Sequence, residues 1–165
     1  MKILLTLLAL LAIPLVSNAM ELSSKGVGKI HLTQDIKEIQ KALGEDFYEG
    51  RVLDEEEVLC HYVEPKTIKP PINLMIEKGK LTRIDIFSEK IASPEGLHIG
   101  DSEELIYKTF GKDIEKKDHP YMGKDGAYLI INLGESKLLF ETFIGKIQSF
   151  RIGVGPAIYY IEGCQ

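Results

Sequence analysis

The sequence predicts an α+β fold made of two tandem repeats, each a helical segment packed on an antiparallel sheet. Two observations carry this reading. First, the chain repeats itself. Residues 31–46 (HLTQDIKEIQKALGED) align with residues 98–113 (HIGDSEELIYKTFGKD) at an offset of about 67 residues, placing Ile39 on Ile106, Lys41 on Lys108, Gly44 on Gly111 and Asp46 on Asp113. Residues 74–86 align with residues 139–152 around Gly79-Lys80 and Gly145-Lys146, at an offset about one residue shorter. Second, each candidate helix is followed by strands joined through short turns. That order gives antiparallel sheets, because parallel strands need long crossover connections.

The elements follow in order. Residues 20–29 (MELSSKGVGK) show no periodicity and read as a flexible lead-in. Thr33 is placed to cap a helix that carries Ile36, Ile39 and Leu43 at helical spacing and stops at Gly44. Residues 45–56 are acidic and loop-like, and residues 58–63 form a strand candidate. Residues 65–71, with prolines at 65, 70 and 71, suit a stiff connection outside the sheet interior. Residues 72–77 and 80–87 read as a hairpin about Lys78-Gly79. Ser93-Pro94-Glu95-Gly96 is the expected hinge between repeats, giving units of residues 20–92 and 93–165.

In the second unit Asp101 and Glu104 have capping-box spacing, and Leu105, Ile106, Thr109 and Phe110 form the expected buried stripe. Residues 113–121 suit an edge strand. Residues 127–133, 137–143 and 146–152 read as strands, and 157–161 as a β-like tail. Strand alternation puts Ile84 and Ile86, with their counterparts Phe150 and Ile152, toward the helices.

Residues 1–19 read as a cleaved signal peptide. Lys2 supplies the positive start, residues 3–16 a short apolar run broken at Pro14, and Ser17-Asn18-Ala19 a small-residue cleavage site. The run is short for a bilayer span, and no cysteine stands at the cut for lipidation. The expected product is a soluble periplasmic or secreted protein without a membrane anchor. In that oxidising setting the two cysteines, Cys60 and Cys164, read as a disulfide pinning the C-terminal tail to the first repeat. The formal net charge of −5, with basic residues scattered, argues against a nucleic-acid partner.

No catalytic or metal constellation emerges. Gly100-Asp101-Ser102-Glu103 is explained by helix capping, and no Gly-x-Ser-x-Gly elbow is present. His31, His61, His98 and His119 lack metal-ligand spacing, and residues 54–57 read as a solvated acidic loop. Gly153-Val154-Gly155-Pro156 lacks the Lys-Ser or Lys-Thr of a phosphate loop. No enzyme activity, cofactor or metal is therefore expected.

What remains is surface. Alternation assigns Met75, Leu81, Arg83, Asp85 and Phe87 to the sheet face away from the helices, together with Leu139, Glu141, Phe143, Ile147, Ser149 and Arg151. Apolar, aromatic and Arg side chains together mark protein-binding patches. Met75, Arg83, Asp85, Phe87, Glu141, Phe143, Ser149 and Arg151 are the expected partner-binding residues. The leading expectation is a non-enzymatic module recognising an envelope or secreted protein. The alternative is a small-ligand or envelope-polymer binder, using a cleft between the repeats where Tyr121, Tyr159 and Tyr160 stack on a sugar or aromatic compound.

The repeated motif resembles the tandem module of β-lactamase inhibitor proteins and the single module of the SmpA/OmlA outer-membrane assembly lipoproteins. Residues 96–104 (GLHIGDSEE), followed by Phe110-Gly111, carry that resemblance most closely. The tail Tyr160-Ile161-Glu162-Gly163-Cys164 also looks like that of a class of uncharacterised exported bacterial proteins. The resemblance implies helices on antiparallel sheets, a concave sheet surface open to a protein partner, and an inhibitor-, immunity- or assembly-factor-like role. The inhibitor's contact residues do not carry over one by one, so the resemblance names no target.

Overall fold

The structure, a computed structural model, describes residues 22–50 and 52–164. The expected signal peptide lies outside the described residues. The chain runs β1 (Leu22–Ser23), β2 (Gly26–Val27), β3 (Ile30–His31), α1 (Ile36–Leu43), α2 (Glu55–Leu59), β4 (Cys60–Val63), β5 (Asn73–Glu77) and β6 (Lys80–Ile86). It continues through α3 (Glu103–Phe110), β7 (Ile114–His119), β8 (Gly123–Asn132), β9 (Lys137–Phe143), β10 (Lys146–Gly153) and a 3-10 turn (Gly155–Tyr159). The class is α+β. Strands β1 to β3 form a small sheet, and the other seven form one antiparallel sheet in the order β4-β5-β6-β10-β9-β8-β7.

Helix α1 starts where the Asp35 carboxylate accepts the Lys37 amide at 2.9 Å, and ends at Gly44, which takes the left-handed conformation (φ 65°). Helix α3 starts at Ser102, whose hydroxyl accepts the Leu105 amide at 3.2 Å. The caps are therefore Asp35 and Ser102, not Thr33 and Asp101. The Asp101 carboxylate instead turns back to accept the His98 amide at 2.8 Å, as the Gln34 side chain accepts the His31 amide at 3.0 Å.

Both helices are docked on hairpins through matching bonds. The Thr33 and Ile36 amides donate to the carbonyls of Leu81 and Gly79 at 2.7 and 2.8 Å. The Gly100 and Glu103 amides donate to the carbonyls of Ile147 and Gly145, both at 2.9 Å. Each hairpin turns through two residues of positive φ, Lys78-Gly79 (48° and 77°) and Ile144-Gly145 (49° and 68°). That geometry matches the right-handed twist of the flanking strands.

The core lies between the helices and the large sheet. Ile39, Ile106, Ile84, Ile86, Phe150 and Ile152 are all at or below 1% exposure, as alternation predicts for the four strand residues. Full burial of each such side chain contributes about 1.5–3 kcal/mol. On α3 only Ile106 is deeply buried. Leu105 and Thr109 point outward, correcting the expected stripe.

Alternation misplaces Leu81 and Ile147. Both join the helix-side core because the register shifts between Arg83 and Leu81 opposite Met75/Ile76, and again between Ile147 and Ser149. Each bulge inserts one residue, Thr82 or Gln148, and reverses the alternation beyond it.

Three other segments differ from expectation. Residues 22–31 are not a loose lead-in but the small sheet, with Leu22, Val27 and Ile30 in the core. A Cβ at Gly26 would lie 2.1 Å from the Ile30 carbonyl oxygen, so only glycine lets β2 and β3 approach. Helix α2 starts within the acidic loop, opened by a capping box between Asp54 and Glu57, and takes Val58 and Leu59 out of the expected strand, which begins at Cys60. The tail is a 3-10 turn rather than a strand, opened by Gly155 and Pro156, and it lies across the sheet.

Candidate functional site

The sheet face away from the helices is built in two parts. An apolar patch of Tyr128, Ile130 and Leu139 receives Ile158 and Tyr159 from the 3-10 turn. Beside it, Arg83 on β6 fastens the tail: its Nη1 donates to the carbonyls of Ala157 and Tyr160, both at 2.8 Å. The Arg83 Nε lies 2.9 and 3.1 Å from the two Asp85 oxygens, and Nη2 donates to the Tyr62 hydroxyl. Further along, Gly163 rests on the Tyr62 ring, where an added Cβ would lie 2.7 Å from the phenol oxygen. Cys164 then closes a disulfide to Cys60 at a Cα–Cα distance of 5.4 Å. The expected disulfide is thus present, and it joins the tail to β4.

This arrangement corrects the expectation of an open partner-binding face. Met75, Arg83, Asp85 and Arg151 are buried, at 0%, 3%, 5% and 8% exposure. Burying Ile158 on apolar strand residues and satisfying the Arg83 guanidinium with tail carbonyls both favour coverage. Phe87 remains exposed, and Glu141, Phe143 and Ser149 are half-buried.

Burial dominates the electrostatics here. It raises the Asp85 carboxyl above the ordinary carboxylate range even though Arg83 and Arg151 pull it down. It pushes the Tyr62 phenol up to about 12, with the Asp85 charge adding to the effect. It lowers the Arg151 guanidinium, which the Arg83 charge opposes further.

His119 on β7 is held between several groups, among them the Tyr128 ring that Arg151 also meets. Its Nδ1 accepts the Tyr121 amide at 3.2 Å, which leaves the ring proton on Nε2, 3.2 Å from Glu141 and 3.0 Å from the Tyr128 hydroxyl. The Ser149 hydroxyl donates to Glu141 at 3.1 Å. The serine thus bonds the carboxylate rather than the imidazole, whereas nucleophilic activation needs the base on the hydroxyl.

Among the described residues, a cavity lies on each side of the tail. The larger, about 710 Å³, lies between the α2–β4 junction and the tail. Tyr121, Tyr159 and Tyr160 converge on it, with Glu77, Lys78 and Glu162 also lining it. Tyr121 is 68% exposed and donates to Glu162, and the Tyr159 ring lies under the Lys117 ammonium at 4.4 Å. The smaller cavity, about 220 Å³, lies on the other side of residues 161–163, and its charged lining is Arg83 and Arg151 with Asp85, Glu141 and Glu162. Sequence reasoning picked out the three tyrosines. It missed the arginine cavity, because nothing local signals that a distant tail roofs strand residues.

Among the described residues, no helix is long and apolar enough to cross a membrane, and no group of three or more His, Cys, Asp or Glu is placed to hold a metal ion.

No protein-family model matches the chain, and no curated protein matches it in sequence. The fold is similar to that of a DUF4309 family protein (YjgB) of Bacillus subtilis, with a TM-score of 0.50 and 14% identity over 78% of this chain and 84% of that one. It is also similar to an extracellular protein containing an SCP domain from Bacillus anthracis, with a TM-score of 0.56 and 10% identity. That match covers 96% of this chain and 54% of the other, so the chain spans about half of it. The uncharacterized protein yfeY of Escherichia coli matches at a TM-score of 0.38 and 14% identity, over 81% of this chain and 99% of that one. At these identities the first two likenesses define a shared α+β fold and no activity. None of the three carries the inhibitor or SmpA/OmlA name that the motif resembles.

Proposed function

We propose that this chain is an exported, non-enzymatic binding protein that takes a small ligand or an envelope polymer, of sugar-like chemistry, in the tyrosine-lined cleft. The convergence of Tyr121, Tyr159 and Tyr160 on one cleft of about 710 Å³ carries the reading. Aromatic rings offer apolar faces to sugar rings, and Glu77, Lys78 and Glu162 offer acceptors and a donor for hydroxyl groups. The cleft lies between residues of the two expected repeats. The disulfide supports an oxidising compartment, periplasmic or extracellular. The reading of two tandem repeats is supported by the matched docking bonds, the paired bulges and the paired turns. Recognition of a protein partner through the sheet face is the weaker reading, because the tail would first have to leave Arg83.

The test is thermal denaturation of residues 20–165 with soluble envelope oligosaccharides, N-acetylglucosamine oligomers first. The expected result is a concentration-dependent rise in Tm that Tyr121→Ala and Tyr160→Ala each abolish. No shift at millimolar oligosaccharide would overturn the sugar-binding reading.

A further inference from the structure

The tyrosine cleft continues past the tail. Ile161, Glu162 and Gly163 line the cleft of about 710 Å³ and also the cavity of about 220 Å³ beyond it. The crest of this shared wall is open to solvent, with Ile161 45% exposed and Glu162 exposed beside it. Three exposed apolar side chains follow one another along this route. Tyr121, 68% exposed, lies on the cleft, Ile161 on both cavities, and Phe87, 64% exposed, on the smaller cavity. Phe87 follows directly on β6 and belongs to neither apolar cluster of the fold. Grouped apolar exposure of this kind marks a surface that another molecule covers. The fixed charges along the route are matched within the protein. On the smaller cavity Arg83 and Arg151 stand with Asp85, Glu141 and Glu162, and in the cleft Lys78 stands with Glu77. Asp85 bonds Arg83, and Glu141 takes the Ser149 hydroxyl and His119. Neither an anion nor a cation therefore meets a large surplus of opposite charge. Asn73, also on the smaller cavity, adds an amide that donates and accepts.

From this continuity we infer that the ligand is an uncharged polysaccharide chain that crosses residues 161–163, with Tyr121 at one subsite and Phe87 at a second. The inference rests on the sugar-binding reading of the cleft. A sugar ring lays its apolar face on an aromatic ring, and Phe87 offers such a face with no polar atom of its own. Once one end of a chain is held at Tyr121, contact with Phe87 becomes intramolecular. Long oligomers thereby gain affinity that short ones lack. Phe87 thus separates polymer from monomer, because its loss affects only chains long enough to reach it.

The experiment measures Kd by isothermal titration calorimetry on the oxidised protein, with N-acetylglucosamine oligomers from the dimer to the hexamer. Affinity should rise about tenfold or more between those lengths. Phe87→Ala should weaken hexamer binding about three- to tenfold and leave the dimer unchanged. Phe87→Tyr, which keeps the ring, should restore the hexamer, whereas Tyr121→Ala should weaken both lengths. The Tm of Phe87→Ala should match that of wild type, because the side chain is mostly in solvent. Polygalacturonate of matched length, with a carboxylate on every unit, should bind more weakly than the neutral hexamer. Equal affinity at all lengths, or a hexamer indifferent to Phe87→Ala, would overturn the second subsite and leave the cleft reading standing. Polygalacturonate binding as tight as the hexamer or tighter would overturn the assignment to an uncharged chain. No binding at any length would sink the cleft reading and this inference with it.

Discussion

Asp85 and Arg151 are paired residues where β6 meets β10, yet Asp85 bonds Arg83 while the Arg151 Nε and Nη2 have no partner. Ile84 opposite Ile152 and Ile86 opposite Phe150 flank this pair, so the charges sit at the middle of the seam. Asp85 is therefore a buried acid set between two buried cations. Removing it takes the carboxylate away from the Arg83 guanidinium, and breaking a buried pair in this way typically costs about 3–5 kcal/mol. Asp85→Ala should destabilise by that amount in urea unfolding, while Asp85→Asn, which keeps an acceptor, should cost less. Equal stability of Asp85→Ala and wild type would show that the seam does not depend on this charge.

The Tyr62 phenol gives a pH signature. Its value of about 12 exceeds the ordinary 10 because of burial and the Asp85 charge. The folded state keeps the proton after the unfolded chain has lost it. This stabilising contribution is complete below pH 10 and is lost as pH rises toward 12. Tyr62→Phe should lower stability at neutral pH, since Arg83 Nη2 loses its acceptor, and should flatten the alkaline fall. Denaturation midpoints at pH 8 to 12 check this, and parallel curves for the two proteins would refute the assignment.

Helices α1 and α3, both hairpins and the disulfide were legible because their signals are local or arithmetic, whereas α2 was read as loop and strand. Ile39 and Ile106 follow helical spacing, Lys78-Gly79 marks a turn, and two cysteines leave one pairing. The strand faces were legible only as far as Arg83 and Ser149. Beyond them Thr82 and Gln148 bulge, and a single extra residue reverses every later assignment. The small sheet was missed because each of its strands is two residues long, too short for any period to show. The covered face was missed because coverage depends on contacts such as Arg83 to Ala157, 74 positions apart.

Ile144 marks a local conflict. It sits at φ 49°, a left-handed conformation costly for a β-branched residue, and it is 72% exposed, so packing does not compensate. The matching turn places Lys78 there. Asn is far better suited to this position. Ile144→Asn should stabilise by about 1 kcal/mol and raise Tm by about 2–4 °C. A lower Tm in calorimetry would mean that the isoleucine side chain makes a stabilising contact in solution.

The tail is held by two independent devices, and reduction should separate them. The disulfide spans 104 residues, and closing a loop of that length stabilises by up to about 4–5 kcal/mol through the entropy of the unfolded chain. Arg83 holds the Ala157 and Tyr160 carbonyls without any help from sulfur, and Ile158 is fully buried. Reduction therefore acts chiefly on the unfolded state and should lower Tm by roughly 8–15 °C while the tail stays docked. Hydrogen exchange in residues 155–160 of the reduced protein should remain slow at temperatures well below its Tm. Arg83→Met in the oxidised protein should do the reverse, speeding exchange in that segment while the tether to Cys60 stays closed. If reduction alone releases residues 155–160 at low temperature, the disulfide rather than Arg83 holds the tail on the sheet.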